Sequence, residues 1–129
     1  MRYLTLAEAL VIAEAVTGVD AGILAKGPRV YLLDSALHAP QAGFGDFELH
    51  TEFIDKAAVL GVRINRNHPL LDGNKRLAWG CLTMFCALNG HGLLASTGDA
   101  VSAMLAVAAG DIDEQGLAAW IAARIAESK

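Results

Sequence analysis

Apolar residues recur along this chain at helical rather than alternating spacing, and short runs of Gly, Pro, Asn and Asp separate the stretches that carry them. The first stretch, TLAEALVIAEAV, opens on Thr5 and Glu8 in the spacing of a capping box, so a helix is expected from Leu6 to Val16. The next, TGVDAGILAKGP, reads as loop. RVYLLDSALHAP predicts a short helix ending before Pro40, because a residue ahead of proline is driven out of the helical region. QAGFGDF is rich in glycine and reads as a loop or flap, assigned to residues 39–47.

Beyond the flap, ELHTEFIDKAAVLGVRIN predicts a long amphipathic helix with Phe53, Ala57, Leu60 and Ile64 on one stripe. Asn74 to Leu88 is apolar nearly all round and stops at Asn89-Gly90, which marks it as the central helix of a bundle. STGDAVSAMLAVAAG supplies a further helix between a Ser or Thr cap and Gly110, and Asp113 caps a last one over EQGLAAWIAARIAE. Six helices without a period-two strand predict an all-α bundle, a single domain over residues 1–129, with a central buried helix preceded by the loop 68–76.

Composition narrows the class. With 129 residues, 54% hydrophobic and 19% charged, the chain can bury a core and does not have the make-up of a disordered segment. Glu8 and Glu14 interrupt any secretory pattern and the run 77–88 is too short to span a bilayer, so a soluble, cytoplasmic protein without a membrane partner is expected. A net charge of −4 with no basic block argues against a dedicated nucleic-acid binder. Cys81 and Cys86 lie on different faces of one helix and read as two free, buried thiols rather than a disulfide or zinc pair.

The chemistry concentrates in HPLLDGNKR, residues 68–76. Lys75 and Arg76 stand in the first turn of an otherwise apolar helix, where the dipole and the free amides are already positive. Two cations there cost stability unless an anion sits nearby, and a Gly-led helix N-terminus is itself an anion site, so phosphate is the expected ligand. A histidine can accept a proton near neutral pH, which makes His68 a candidate base, and its place before Pro69 predicts an extended backbone. Asp72 could hold a Mg²⁺ that also bridges phosphate oxygens, Asn74 could orient either partner, and Leu70 is expected to plug the loop into the core. The plainer alternative makes Asp72 a simple N-cap, with Lys75 and Arg76 as solvated side chains. The gathering of His68, Asp72, Asn74, Lys75 and Arg76 within nine residues favours the site.

This loop resembles the signature of the Fic/Doc superfamily, specifically its Doc branch, whose pattern is His-x-Phe-x-Asp-Ala/Gly-Asn-Lys-Arg. It matches at His68, Asp72, Gly73, Asn74, Lys75 and Arg76 and departs at Leu70, where the family usually has phenylalanine. LLDSALHAPQAGFG resembles the stretch of that branch around its flap, and helix order and length are similar too. The resemblance implies a Fic/Doc-type helical fold and a toxin kinase that transfers the γ-phosphate of ATP, with Mg²⁺, to a hydroxyl residue of a protein, with translation elongation factor Tu as the precedent. By position, His68 would deprotonate the acceptor, Asp72 would help hold Mg²⁺, and Gly73, Asn74, Lys75 and Arg76 would bind phosphates. Phe44 and Phe47 in the flap become candidate contacts to a substrate segment. A Ser/Thr-x-x-x-Glu inhibitory pattern is absent from the sequence, so a separate antitoxin is expected, folding an amphipathic segment into a groove.

Two other enzyme readings compete. Adenylyl-transferring Fic enzymes carry a glycine where this chain has Lys75 and an arginine where it has Trp79, which argues against transfer of AMP. A HEPN-type ribonuclease is suggested by the Arg63 to His68 spacing, but that pattern is short and leaves residues 72–76 unexplained. A non-catalytic interaction protein is disfavoured by the intact His68 and Asp72. Trp79 and Phe85 read as core, His38 and His91 as a helix end and a turn, and His50 with Glu52 or Asp55 lacks metal-ligand spacing.

Overall fold

Thr5 accepts the backbone N–H of Glu8 while the Glu8 carboxylate accepts that of Thr5, and this reciprocal cap starts α1, Leu6–Thr17. The Thr5 N–H also holds the Glu8 carboxyl below its usual range. The structure, a computed structural model, describes residues 1–44, 47–48 and 53–127, and the backbone alone at 43–44, 47–48 and 127.

Among the described residues the elements after α1 are α2 (Ala21–Ala25), α3 (Val30–His38), β1 (Gly43–Phe44), β2 (Phe47–Glu48), α4 (Phe53–Asn67), α5 (Asn74–Leu88), β3 (His91–Leu93), α6 (Thr97–Ala109), α7 (Glu114–Ala122) and β4 (Ile125–Glu127). The bundle is therefore all-α in character, as expected, and α5 has the expected bounds. Ser96 and Asp113 cap α6 and α7 through the amides of Asp99 and Gly116.

Two expectations are corrected, and a third is refined. The segment read as loop after α1 contains α2, because the Asp20 carboxylate accepts the amides of Gly22 and Ile23 and so caps a single turn. α3 ends at His38, before Pro40 as expected, and the chain continues as a 3₁₀ turn over Ala39–Gln41. The last helix stops at Ala122, and β4 pairs antiparallel with β3, Leu93 opposite Ile125. Arg124 closes that helix, its guanidinium 4.2 Å from the centre of the Trp120 ring and bonded to the Trp120 carbonyl, while its own carbonyl accepts from Leu94 N–H.

The core is centred on a pair of helices. α4 packs against α3, α5, α6 and α7, and its buried residues run unbroken from Lys56 to Val62, which widens the expected stripe to most of the circumference. α5 buries Leu77, Ala78, Cys81, Leu82, Phe85 and Cys86 against it and exposes Lys75, Arg76 and Met84. Gly61 leaves room for α7, since a Cβ there would lie 3.1 Å from Cδ2 of Leu117. Both cysteines are free, and burial pushes the thiol of Cys81 up to about 12 and that of Cys86 up to about 11.

Candidate active site

The N-cap residue of α5 is Gly73, whose φ of 93° is left-handed and whose Cβ, were there one, would lie 2.7 Å from Cγ1 of Val16. Only glycine satisfies both constraints. The end of α1 thus sets how closely the loop can approach the bundle. No side chain caps this N-terminus, in contrast to α1, α6 and α7. Asp72 accepts the adjacent Gly73 N–H, at 2.9 Å, and no amide inside α5, so the reading of Asp72 as a helix cap is set aside. Asp72, Lys75 and Arg76 are all exposed around these amides.

Asn74 is 6% exposed and its amide is spent inside the loop. Oδ1 accepts from Leu70 N–H at 2.8 Å, Nδ2 donates to the Leu70 carbonyl at 2.9 Å, and Nδ2 lies 3.2 Å from Nδ1 of His68. The first of these bonds fixes which way the amide points, so Nδ2 must donate to the imidazole. In the neutral ring the proton is then on Nε2. In this structure Asn74 is a clamp between loop and histidine, its side chain bonded to Leu70 and His68. Leu70, 7% exposed, plugs the core as expected, whereas Leu71 is 94% exposed.

The extended backbone expected of His68 is also corrected. Its φ is 51°, the one positive value at a non-glycine among the described residues. Arg29 donates to the His68 carbonyl from the start of α3, and Asn67 Nδ2 donates to the Leu32 carbonyl at 3.0 Å, so long-range bonds override the local preference. Sequence reasoning passed over Arg29. Its signal was an arginine at a helix N-terminus, the same anomaly that drew attention to Lys75.

Between the first half of α5 and α6 lies a cleft of about 530 Å³. Gly73, Lys75 and Arg76 form its charged end, and Trp79, Val101 and Met104 form apolar walls. Trp79, read from the sequence as core, is only half-buried and meets Trp120 edge-on at 5.9 Å between ring centres. Asp72 and Asn74 also border the cleft, while His68 does not and is joined to it through Asn74.

A magnesium ion at the loop would have Asp72 as its protein carboxylate, since among the described residues no group of three His, Cys, Asp or Glu gathers to hold a metal. One carboxylate suits Mg²⁺, which retains water and takes further ligands from substrate phosphates. β1 and β2 pair Phe44 with Phe47 across the expected flap, but both side chains, like His50 and Glu52, lie outside the described residues. Arg63, the arginine of the ribonuclease pattern, bonds Glu114 of α7 at 3.0 Å. No helix among the described residues is long and apolar enough to cross a membrane.

A helical bundle whose buried helix α5 is preceded by this histidine loop is the arrangement the Fic/Doc signature led us to expect, and the Fic/DOC family model matches residues 3–86. The chain belongs to the Fic/Doc family. It is similar to Toxin Doc of Mycolicibacterium smegmatis (strain ATCC 700084 / mc(2)155), with 40% identity over 93 residues, 70% of this chain and 72% of the relative.

Proposed function

We propose that this protein is a Doc-like toxin of a toxin–antitoxin system that phosphorylates a hydroxyl residue of a protein target from ATP, acting through His68. The observation that carries the reading is the start of α5, where an uncapped N-terminus, Lys75 and Arg76 border the cleft and Asn74, between Gly73 and Lys75, sets the ring of His68. The 40% identical Toxin Doc supports the toxin assignment and a cognate antitoxin partner.

In this reading the phosphates of ATP lie against the Gly73 amide region, Lys75 and Arg76, and Asp72 holds the Mg²⁺ that neutralises phosphate charge when bound. The acceptor oxygen attacks the γ-phosphorus, the bond to the β–γ bridging oxygen breaks, ADP leaves, and His68 takes the hydroxyl proton. In the neutral ring the lone pair is at Nδ1, so the incoming hydroxyl takes the place of the Asn74 amide at that atom. Positioning and charge stabilisation supply most of what phosphoryl transfer requires. By the resemblance, Lys75 would crowd the path that nucleotide phosphates take along a glycine in adenylyl-transferring Fic enzymes, which favours the γ-phosphate. The target is a cytoplasmic protein, with elongation factor Tu the first candidate and blocked translation the consequence.

The test is transfer from labelled ATP into bacterial lysate proteins with Mg²⁺, using α- or γ-label and a His68→Ala control. A band labelled from γ alone and lost in the control supports the kinase. Label from α assigns adenylyl transfer instead, and no label from either removes ATP-dependent modification.

A further inference from the structure

We infer that Arg29 is a positioning residue for this site, holding His68 in the left-handed conformation that brings its ring onto Asn74. The inference rests on the reading of His68 as the base, and its conformational part stands independently of that chemistry.

A histidine with φ of 51° immediately before a proline does not hold itself there. Downstream, Pro69 and Leu70 are buried and fix the exit of the loop. Upstream, α4 ends at Asn67, whose side chain is tied to the Leu32 carbonyl. Between these anchors the proline ring fixes φ of Pro69 but not the φ and ψ of His68, and the Arg29 guanidinium takes the His68 carbonyl from 39 residues away. Arg29 is the N-cap residue of α3 yet makes no side-chain cap bond there. Its placement therefore answers to the loop, not to its own helix.

Turning that carbonyl away would swing His68 toward extended backbone and carry Nδ1 out of reach of Asn74 Nδ2, now 3.2 Å away. Lys75 and Arg76 belong to α5 and stay where they are. Loss of Arg29 should accordingly act on turnover rather than on nucleotide binding. A lysine keeps the charge but lacks the planar fork, so it should restore part of the effect.

The experiment compares wild-type protein with Arg29→Ala, Arg29→Gln and Arg29→Lys in three measurements. These are kcat and KM for ATP, the thermal midpoint, and the nuclear magnetic resonance signals of His68. The one-bond Cα–Hα coupling reports the sign of φ, and the imidazole nitrogen shifts report the tautomer. The expected result is a kcat lowered by roughly tenfold to a hundredfold with KM unchanged. The coupling and ring shifts of His68 should move in the alanine and glutamine variants, with Arg29→Lys intermediate. Unchanged His68 signals in a folded variant would overturn the inference, as would a kcat loss matched by loss of ATP binding. If the wild-type protein transfers nothing from ATP, the kinase reading fails, and the coupling still decides whether Arg29 sets His68.

Discussion

Nδ2 of Asn74 lies 3.2 Å from Nδ1 of His68, and the bond that Asn74 Oδ1 accepts from Leu70 leaves that amide nitrogen no role but donor. One buried side chain thus closes the loop on itself and selects the histidine tautomer. Asn74→Ala should strand the Leu70 amide and carbonyl and cost about 1–3 kcal/mol in stability. Asn74→Asp, an acceptor where a donor is required, should draw the proton to Nδ1. Imidazole nitrogen shifts read that change directly, and transfer activity should fall with it.

Gly73 carries two separate constraints, and they can be separated. Gly73→Ala should destabilise by at least about 1–2 kcal/mol from the left-handed backbone alone, with the contact to Val16 Cγ1 at 2.7 Å added to it. Adding Val16→Ala should relieve the contact and leave the backbone cost. Denaturant unfolding of the single and double variants measures each part, after allowance for Val16→Ala alone.

Lys75 and Arg76 are expected to set stability against function. Each places a cation at the positive end of α5, so Lys75→Gln or Arg76→Gln should stabilise the ligand-free protein by about 0.3–1 kcal/mol at low salt. The same variants should bind ATP more weakly. Thermal midpoints at low and high ionic strength, beside nucleotide titrations, check both signs. A loss of stability in the absence of ligand would contradict the anion-site argument.

The two cysteines give the pH dependence. Their folded pKa values, pushed up to about 12 and about 11, lie above the ordinary value of 9.0. Their contribution is fully present below that ordinary value. It is lost progressively as pH rises through the folded values, because the unfolded chain releases those protons first. Chemical unfolding between neutral and alkaline pH should show a decline that flattens in a Cys81→Ala, Cys86→Ala variant. Thiol reagents should label neither cysteine until the protein unfolds.

Much of the fold was legible because its signals are local. Thr5 with Glu8, Ser96 and Asp113 announce helix starts, and the change from polar loop to apolar run at Asn74 fixes α5 to the residue. The gathering of Asp72 to Arg76 at one cleft was legible for the same reason, since consecutive residues at a helix start cannot lie far apart. What was missed depends on contacts distant in sequence. β4 exists because β3 is there to pair with it, and His68 is left-handed with Arg29 holding its carbonyl, against what Pro69 alone would impose. The cleft itself needs α6 beside α5, and nothing in STGDAVSAMLAVAAG states which face meets Trp79.

The most direct test of the central claim is the mass of the target protein after incubation with MgATP and either the wild-type chain or His68→Ala. The account predicts the addition of one phosphate by the wild-type chain and none by the variant. Addition of an adenylate, or equal phosphorylation by His68→Ala, would contradict it.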